Sequence, residues 1–355
     1  MAVTEMNDGF RQIPGLLLAW YDEHKRRLPW RDDPSAYHVW VSEIMLQQTR
    51  ASAVMPYYER FLAALPDIRA LAEAPEEQLL KLWEGLGYYS RVRNMAKAAR
   101  QVLEDYGGKL PPEPEKLCKL AGIGSYTAAA IASFAFGRKT PAVDGNLLRI
   151  FARLTDFAEN IRTPAAKRLA AAFFDEIFPD NRPGDMNQAL MDLGAKVCLP
   201  NGAPQCADCP LAELCLAKKA GRETLLPVMP AKKARPSEER TVFVIRTADN
   251  VLLHRRPSKG LLAGLYEFPN EKGTFSEEDA CSYCKNLGFS LVSVRPLPAA
   301  KHIFTHLEWR MTGFEICVAE DGAAGFTAIA DLKDRIPLPS AFAVYTRTVM
   351  EELKD

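Results

Sequence analysis

The sequence lacks an excess of either charge: 45 lysines and arginines stand against 45 aspartates and glutamates in 355 residues. A uniformly basic surface is thereby excluded. Any polyanionic partner must be met by local basic patches and by helix N-termini. No apolar run is long enough to span a bilayer, which predicts no membrane partner. Met1 to Phe10 hold acidic and polar residues without the apolar core of a secretory signal. That predicts an intracellular protein, cytoplasmic in a bacterium and nuclear or mitochondrial in a eukaryote. No internal repeat is visible. What remains is an ordinary globular composition, 48% apolar and 25% charged, on a chain long enough for two domains.

Cysteine is unevenly spread. Cys198, Cys206, Cys209 and Cys215 follow a C-x7-C-x2-C-x5-C spacing, while Cys118, Cys281, Cys284 and Cys317 are dispersed. In a reducing compartment, such clustering points to a metal rather than to disulfides. The spacing accommodates either a [4Fe–4S] cluster or a tetrahedral zinc.

Residues 1–197 read as helix after helix, with apolar positions at helical spacing in Phe10 to Tyr21, Val54 to Leu62, Asp67 to Leu86, Arg91 to Tyr106, Tyr126 to Phe136, Asn146 to Leu154 and Ala165 to Phe178, and with the cysteine loop they make an expected domain over 1–217. Residues 218–240, rich in Lys, Arg, Pro and Glu, read as a linker. From residue 241 to 355 the period shifts toward two. Thr241 to Arg246 pairs with Val251 to His254, His302 to Trp309 pairs with Met311 to Val318, and Ser276 to Leu287 is helical. The expected architecture is a mostly α domain followed by a smaller α+β domain.

Three local patterns carry chemistry. Leu120-Ala-Gly-Ile-Gly-Ser-Tyr-Thr joins two helical stretches. Gly122 and Gly124 permit a tight turn, and Ser125 suits the N-cap of the next helix, whose first amides can bind a phosphate. An ordinary helix–helix turn is the competing reading. Glu43 lies among apolar residues, where partial burial would raise its pKa and suit it to general-acid work, although taken alone it reads first as a surface charge on an amphipathic helix. Asp144, in Val143-Asp-Gly-Asn, stands where an extended segment meets a helix, and taken alone it reads first as an N-cap. Two carboxylates are what glycosidic cleavage requires, one to protonate the leaving group and one to stabilise the sugar cation.

The hairpin, Val143-Asp-Gly-Asn and the four cysteines occur in the order of the helix-hairpin-helix DNA glycosylases that carry an iron–sulfur cluster. Within that superfamily the chain resembles the adenine DNA glycosylases of the MutY type. The resemblance rests on Leu28-Pro-Trp-Arg, Ser42-Glu-Ile-Met-Leu-Gln-Gln-Thr, Gly85-Leu-Gly-Tyr-Tyr-Ser-Arg and a second domain, and it covers roughly residues 8–350. It implies a monomeric base-excision enzyme, a [4Fe–4S] cluster on the four cysteines, and duplex DNA with adenine opposite 8-oxoguanine or guanine as substrate. Glu43 would protonate N7 of a flipped adenine. Asp144 would stabilise the sugar cation, with Tyr126 and Asn146 in support. Arg26, Trp30, Arg31, Leu46 and Gln188 would line the adenine pocket. Gln48, Thr49, Leu86 and Tyr88 would probe the stack around 8-oxoguanine, while Gly122, Gly124 and Ser125 would hold the DNA backbone. Tyr126 occupies the place of the Schiff-base lysine of bifunctional relatives. A phenol cannot form that imine, so an abasic site is the expected product.

Residues 241–355 resemble a Nudix-type fold at Gly260-Leu-Leu-Ala-Gly-Leu-Tyr-Glu-Phe-Pro, but the helix from Ser276 lacks the R-E-x-x-E-E pattern that holds magnesium. Recognition rather than hydrolysis is expected there, through Phe304, Thr305 and His306, where the family carries Phe-Ser-His. Two further departures are a first cysteine interval of seven where many bacterial relatives have six, and Gln188 where several have Glu. Without the family, Phe304 and His306 read as an alternating strand, and Cys281 and Cys284 as a structural thiol pair.

Overall fold

The computed structural model describes residues 8–230, 234–319 and 325–351. Residues 1–7 of the N-terminal stretch, 231–233 of the expected linker and 352–355 of the second domain lie outside them. The chain forms two compact units. One comprises the residues up to Glu73 and those from Asn94 to the linker; the other comprises Ala74–Arg93 and the C-terminal residues.

That division differs from the sequence-based boundaries at Ala74–Arg93, which reads as part of the helical domain; the expected linker 218–240 is also shorter, since a helix runs to Lys219 and a strand begins at Ser237. The side chains of Ala74–Arg93 bond to the C-terminal residues. Lys81 Nζ donates to the carbonyls of Leu332 and Ile336 at 2.9 and 3.1 Å. Glu84 accepts from Leu338 N at 2.9 Å, and Arg93 donates to the Ala263 carbonyl at 2.6 Å.

The helical unit contains α1 (Ile13–His24), α2 (Pro29–Asp32), α3 (Ala36–Leu46), α4 (Ala51–Ala64) and α5 (Ile68–Glu73). In the second unit lies α6 (Glu76–Leu82), and α7 (Ser90–Tyr106) contains the boundary. The helical unit continues with α8 (Pro114–Leu117), α9 (Ser125–Phe136), α10 (Gly145–Leu154), α11 (Pro164–Ile177), α12 (Pro183–Lys196) and α13 (Leu216–Lys219). Asp67 to Leu86, one helical stretch by periodicity, is two helices, because Pro75 caps α6 and has no N–H to continue α5.

Helices α3 and α9 are buried on nearly every side: Tyr37 and Val39 to Met45 on one, Thr127 to Ser133 on the other. A helix apolar all round belongs at the centre of its domain. A polar residue on the inner part of these two helices is therefore taken out of water, as Glu43 is. Helix α9 ends at Gly137, whose φ of 63° closes the last turn with amide bonds back to Ser133 and Ala132. Helices α1, α10, α11 and α12 enclose a second core with Phe151, Phe173 and Phe174 at its centre, ring centroids 5.2–5.5 Å apart. Each such buried ring stabilises by roughly 1.5–3 kcal/mol.

The second unit is built on a mixed sheet. Its strands are β1 (Ser237–Arg246), β2 (Asn250–Leu252), β3 (His254–Arg255), β4 (Tyr266–Glu267), β5 (Asn270–Lys272), β6 (Leu291–Ile303), β7 (Glu308–Val318) and β8 (Phe326–Ala328). The order is β6-β7-β1-β2-β8, with β5 also on β1 and a separate β3-β4 pair. β1 and β7 run parallel and the other pairs antiparallel. Pro296 and Pro298 sit on β6, an edge strand, where a missing donor costs least. Helix α14 (Glu277–Asn286) starts with a capping box between Ser276 and Asp279. It buries Cys284 against Phe243 and Ile316, in keeping with a structural thiol.

The strand expected over His302 to Trp309 is instead the end of β6, a turn and the start of β7. Phe304 N donates to the Leu307 carbonyl at 2.8 Å, and this closure lifts Thr305 and His306 to an exposed tip. Phe304 remains half-buried against Trp309 and His302, at centroid distances of 4.9 and 4.5 Å.

Candidate active site

A cavity of about 770 Å³ in the helical unit gathers Arg26, Trp30, Arg31, Glu43, Leu46, Thr49, Tyr126, Asp144, Asn146 and Gln188. These residues come from five stretches of chain. Its size is typical of a small-molecule or extruded-base pocket.

Glu43 is 4% exposed. The Tyr126 hydroxyl donates to its Oε2 at 2.6 Å, which leaves Oε1 to carry a proton. Burial pushes the Glu43 carboxyl up to about 7; the Tyr126 bond opposes this, Asp144 adds to it, and Arg31 draws it down. Desolvation likewise holds the Tyr126 phenol well above its ordinary range, so it is neutral and a donor.

Asp144 joins its two sequence readings. It caps α10, accepting from the amides of Asn146 and Leu147 at 2.8 Å, and it lines the cavity. Asn146 Nδ2 donates to its other oxygen at 2.7 Å. Burial raises its carboxyl against these three N–H donors. Hydrogen bonds to the charged form favour it. Glu43 has one such donor and Asp144 three, so Glu43 is the carboxyl that keeps a proton near neutrality.

The supports of these acids were not legible in the sequence. Asn187, fully buried, accepts from Ala142 N at 2.8 Å and donates to Ser133 and to the Thr140 carbonyl, fixing the segment that leads into Asp144. Arg149 donates to Asn146 Oδ1 at 2.8 Å, to the Gly194 carbonyl at 2.8 Å and to the Cys198 carbonyl at 2.7 Å. Gly194 is required where α12 meets Asn146, since a Cβ there would stand 2.6 Å from Asn146 Cβ. Ser42, Met55, Phe134, Met191 and Ala195 also line the cavity. Periodicity read them as core or surface, with no signal to separate them.

The hairpin residues Gly122, Gly124 and Ser125 are exposed on the unit's surface. Gly122 has φ of 76°, and a Cβ there would meet Asn94 Cβ at 2.7 Å. The cap of α9 is Gly124 rather than Ser125, which is the first helical residue and makes no capping bond. Gly124 has no side chain to cap with, so the helix starts without a side-chain acceptor for its first amides.

Cys198, Cys206, Cys209 and Cys215 line one small cavity beside Ile150, Leu154, Leu193 and Val197. Arg153 Nη1 donates to Cys198 Sγ at 3.1 Å, and the Cys215 thiol donates to the Arg153 carbonyl at 3.2 Å. Among the described residues, no three His, Cys, Asp or Glu side chains close around a single metal ion.

The second unit has its own pocket, of about 640 Å³, lined by Leu86, Tyr88, Phe304, Thr305 and His306 among others. The Tyr88 hydroxyl is hydrogen-bonded to Thr305 Oγ1. Arg91 Nη2 donates to the carbonyls of Leu86 and Gly87 at 2.9 and 3.0 Å, which fixes the glycine-rich turn. Tyr88 is 45% exposed with φ of 48°, whereas Leu86 is buried at 7%. Gln48, in the helical unit, is exposed with φ of 64° and does not line the cavity there. Positive φ at a non-glycine residue is a strain that clusters at functional sites.

Residues 41–177 match the model of the HhH-GPD superfamily base excision DNA repair protein, and residues 241–347 that of the NUDIX domain. The chain is 35% identical to the adenine DNA glycosylase of Mus musculus, an alignment covering 88% of this chain and 71% of that protein. It is 37% identical to that of Homo sapiens, over 74% of this chain and 58% of the human protein. With that of Buchnera aphidicola subsp. Acyrthosiphon pisum it shares 31% identity over 82% of each. A solved thermostable thymine-DNA glycosylase superposes with a TM-score of 0.55 at 28% identity, covering 60% of this chain and 98% of that one. An endonuclease III–DNA covalent intermediate shares the fold alone, with a TM-score of 0.52 at 22% identity over 61% of this chain and 99% of that one.

Proposed function

The chain belongs to the adenine DNA glycosylase family, and from that premise we propose that it removes adenine mispaired with 8-oxoguanine or guanine in duplex DNA and leaves an abasic site. The observation that carries the proposal is the pairing of Glu43, bonded to the Tyr126 phenol at 2.6 Å, with Asp144 across one base-sized cavity.

The chemistry follows from the two carboxyls. An adenine rotated out of the helix enters the cavity at a cost of a few kcal/mol, least at a mispair. Glu43, whose proton is held up to about pH 7, gives it to N7 of the base. The glycosidic bond then breaks, adenine leaves with that proton, and the Asp144 carboxylate stabilises the sugar cation at close range until water adds to C1′ and releases a proton, giving the abasic sugar. With a phenol at position 126, the chain has no amine there to capture the sugar and cleave the strand.

The four cysteines suit a [4Fe–4S] cluster better than a zinc ion. This reading rests on the family the chain belongs to, and the four thiols line one cavity, where they would hold the cluster. Such a cluster would cross-link a loop that already packs Leu211, Leu214 and Leu216 on the core of the helical unit. Arg149 ties that loop, through the Cys198 carbonyl, to Asn146 and so to Asp144. In the second unit, the exposed Thr305 and His306, with Tyr88 beside them, form a surface suited to reading the base opposite adenine. The protein acts as a monomer in this reading.

The test is a single-turnover assay on duplexes with adenine opposite 8-oxoguanine, with a thymine glycol duplex as control, analysed with and without alkali. Adenine loss that breaks the strand only after alkali is the expected result. Direct cleavage of the thymine glycol strand would overturn it in favour of a bifunctional lyase.

A further inference from the structure

Asp192 lies on α12 one turn beyond Gln188 and has no exposed surface. Its two oxygens accept four N–H groups. These are the backbone N and Nε of Arg26 at 3.0 and 2.7 Å, and Nη1 and Nη2 of Arg31, both at 2.9 Å. Arg31 Nη1 also donates to the Arg26 carbonyl at 3.0 Å. Its guanidinium stands 5.7 Å from the ring centroid of Tyr21, whose hydroxyl donates to Gln188 at 3.1 Å. Arg26, Arg31 and Gln188 line the cavity together with Glu43, whereas Asp192 stands behind them and does not.

Stability alone is a poor reason for such a triad. Taking a carboxylate and two guanidiniums out of water is costly, and well-packed apolar residues in their place are often as stable or more so. Geometry supplies a better reason. The carboxylate meets Arg31 edge-on with two parallel bonds, which fixes the plane of that guanidinium. It takes Nε of Arg26, which leaves the terminal nitrogens of that residue for the acceptor edge of an extruded base. One carboxylate against two cations leaves a net positive charge at the wall of the cavity that holds the acid.

We propose that Asp192 is a positioning residue for base excision: its buried carboxylate locks Arg26 and Arg31 against the base pocket and sets how much positive charge reaches Glu43. The proposal rests on reading the cavity as the base pocket. Glu43 is faced by Tyr126 from α9, by Asp144 ahead of α10 and by Arg31 from α2, and of these Arg31 is the cation. With Asp192 neutralised, the uncompensated guanidinium draws the Glu43 proton affinity down, and Glu43 gives up its proton at a lower pH.

In the full-length protein, Asp192→Asn is expected to slow single-turnover adenine release on the order of 10- to 100-fold, with duplex binding changed far less. The alkaline fall of the rate should move to lower pH. Asp192→Glu restores the charge and is expected to keep the wild-type pH profile at an intermediate rate. In an Arg31→Met background, Asp192→Asn should add little further loss, because the two act as one unit. A wild-type rate and profile in Asp192→Asn would overturn the proposal. So would a slow variant whose profile stays put and whose loss adds in full to that of Arg31→Met, since that pattern marks a purely structural role. Should Asp192→Asn fail to fold, Asp192→Glu carries the test, and a full wild-type rate from it overturns the proposal. An infrared titration of Glu43, read as the carboxyl band that Glu43→Gln removes, needs no substrate. A lower midpoint in Asp192→Asn supports the coupling and an unchanged one refutes it. Wild-type protein that released no adenine would overturn the substrate assignment and leave that infrared result standing.

Discussion

The two units hold cavities of similar size, about 770 Å³ and about 640 Å³, made of different material. The helical unit's cavity is walled by ionisable groups taken out of water. Glu43, Asp144 and Tyr126 bind protons more tightly than usual there, while Asp192 behind the wall is held below the ordinary carboxylate range by Arg31 and Arg26 despite its burial. The second unit's pocket is walled by a glycine-rich turn, an exposed tyrosine and the tip of a β-turn. Its ionisable His302 is merely pushed down by burial. Displaced proton affinities mark where bonds are made and broken. Exposed aromatic and hydroxyl groups on fixed turns mark where a surface is read.

Glu43→Gln should sharpen that contrast most. The rate of adenine release is expected to fall by roughly 10³-fold or more while lesion duplex still binds, because the amide keeps the shape and has no proton to give. A rate within tenfold of wild type would remove Glu43 as the acid. The same variant separates stability from activity. The folded carboxyl sits at about 7 against an ordinary 4.5. Wild-type stability from this group is therefore fully present below the ordinary value and lost as pH rises through about 7. Glu43→Gln should accordingly melt higher than wild type at pH 8, by on the order of 2–3 kcal/mol, and nearly equally at pH 4.5. Equal melting at both pH values would show that the carboxyl is not desolvated.

A smaller effect is expected from Gly194→Ala. Its Cβ would fall 2.6 Å from Asn146 Cβ, so Asn146 must move and Asp144 loses its side-chain donor. A 10- to 100-fold slower release is expected with duplex binding retained. An unchanged rate would show that Asn146 does not orient Asp144. The smallest effect belongs to the second pocket. His306→Ala should reduce the preference for 8-oxoguanine over guanine opposite adenine by several-fold, about 1 kcal/mol, and leave excision opposite guanine as it was. Equal loss on both substrates would erase the division of labour between the two units.

Much of the proposed pair of acids, Glu43 and Asp144, was visible along the chain. A glutamate inside an apolar helix and an aspartate at a helix start are local patterns, and the structure places both in one cavity. The tip at Phe304 to Leu307 was not visible, because alternation along a strand looks the same whether the chain continues or folds back. Nor was the placement of Ala74–Arg93, since its helical period says nothing about which unit Lys81, Glu84 and Arg93 bond to.

The sequence by itself determined the succession of a helical domain and an α+β domain and the grouping of four cysteines, while Glu43 and Asp144 stood out only through their joint occurrence with the family's motifs. These depend on period, spacing and residue type, which are local. Tertiary structure alone decided which acid keeps the proton, because that follows from burial and from counting donors around each carboxylate. It also decided that Asp192 serves Arg31, 161 residues away, and that Gly194 makes room for Asn146. Those are contacts between distant segments. A chain read in order carries the groups, but only packing sets the low-dielectric distances over which one charge fixes another.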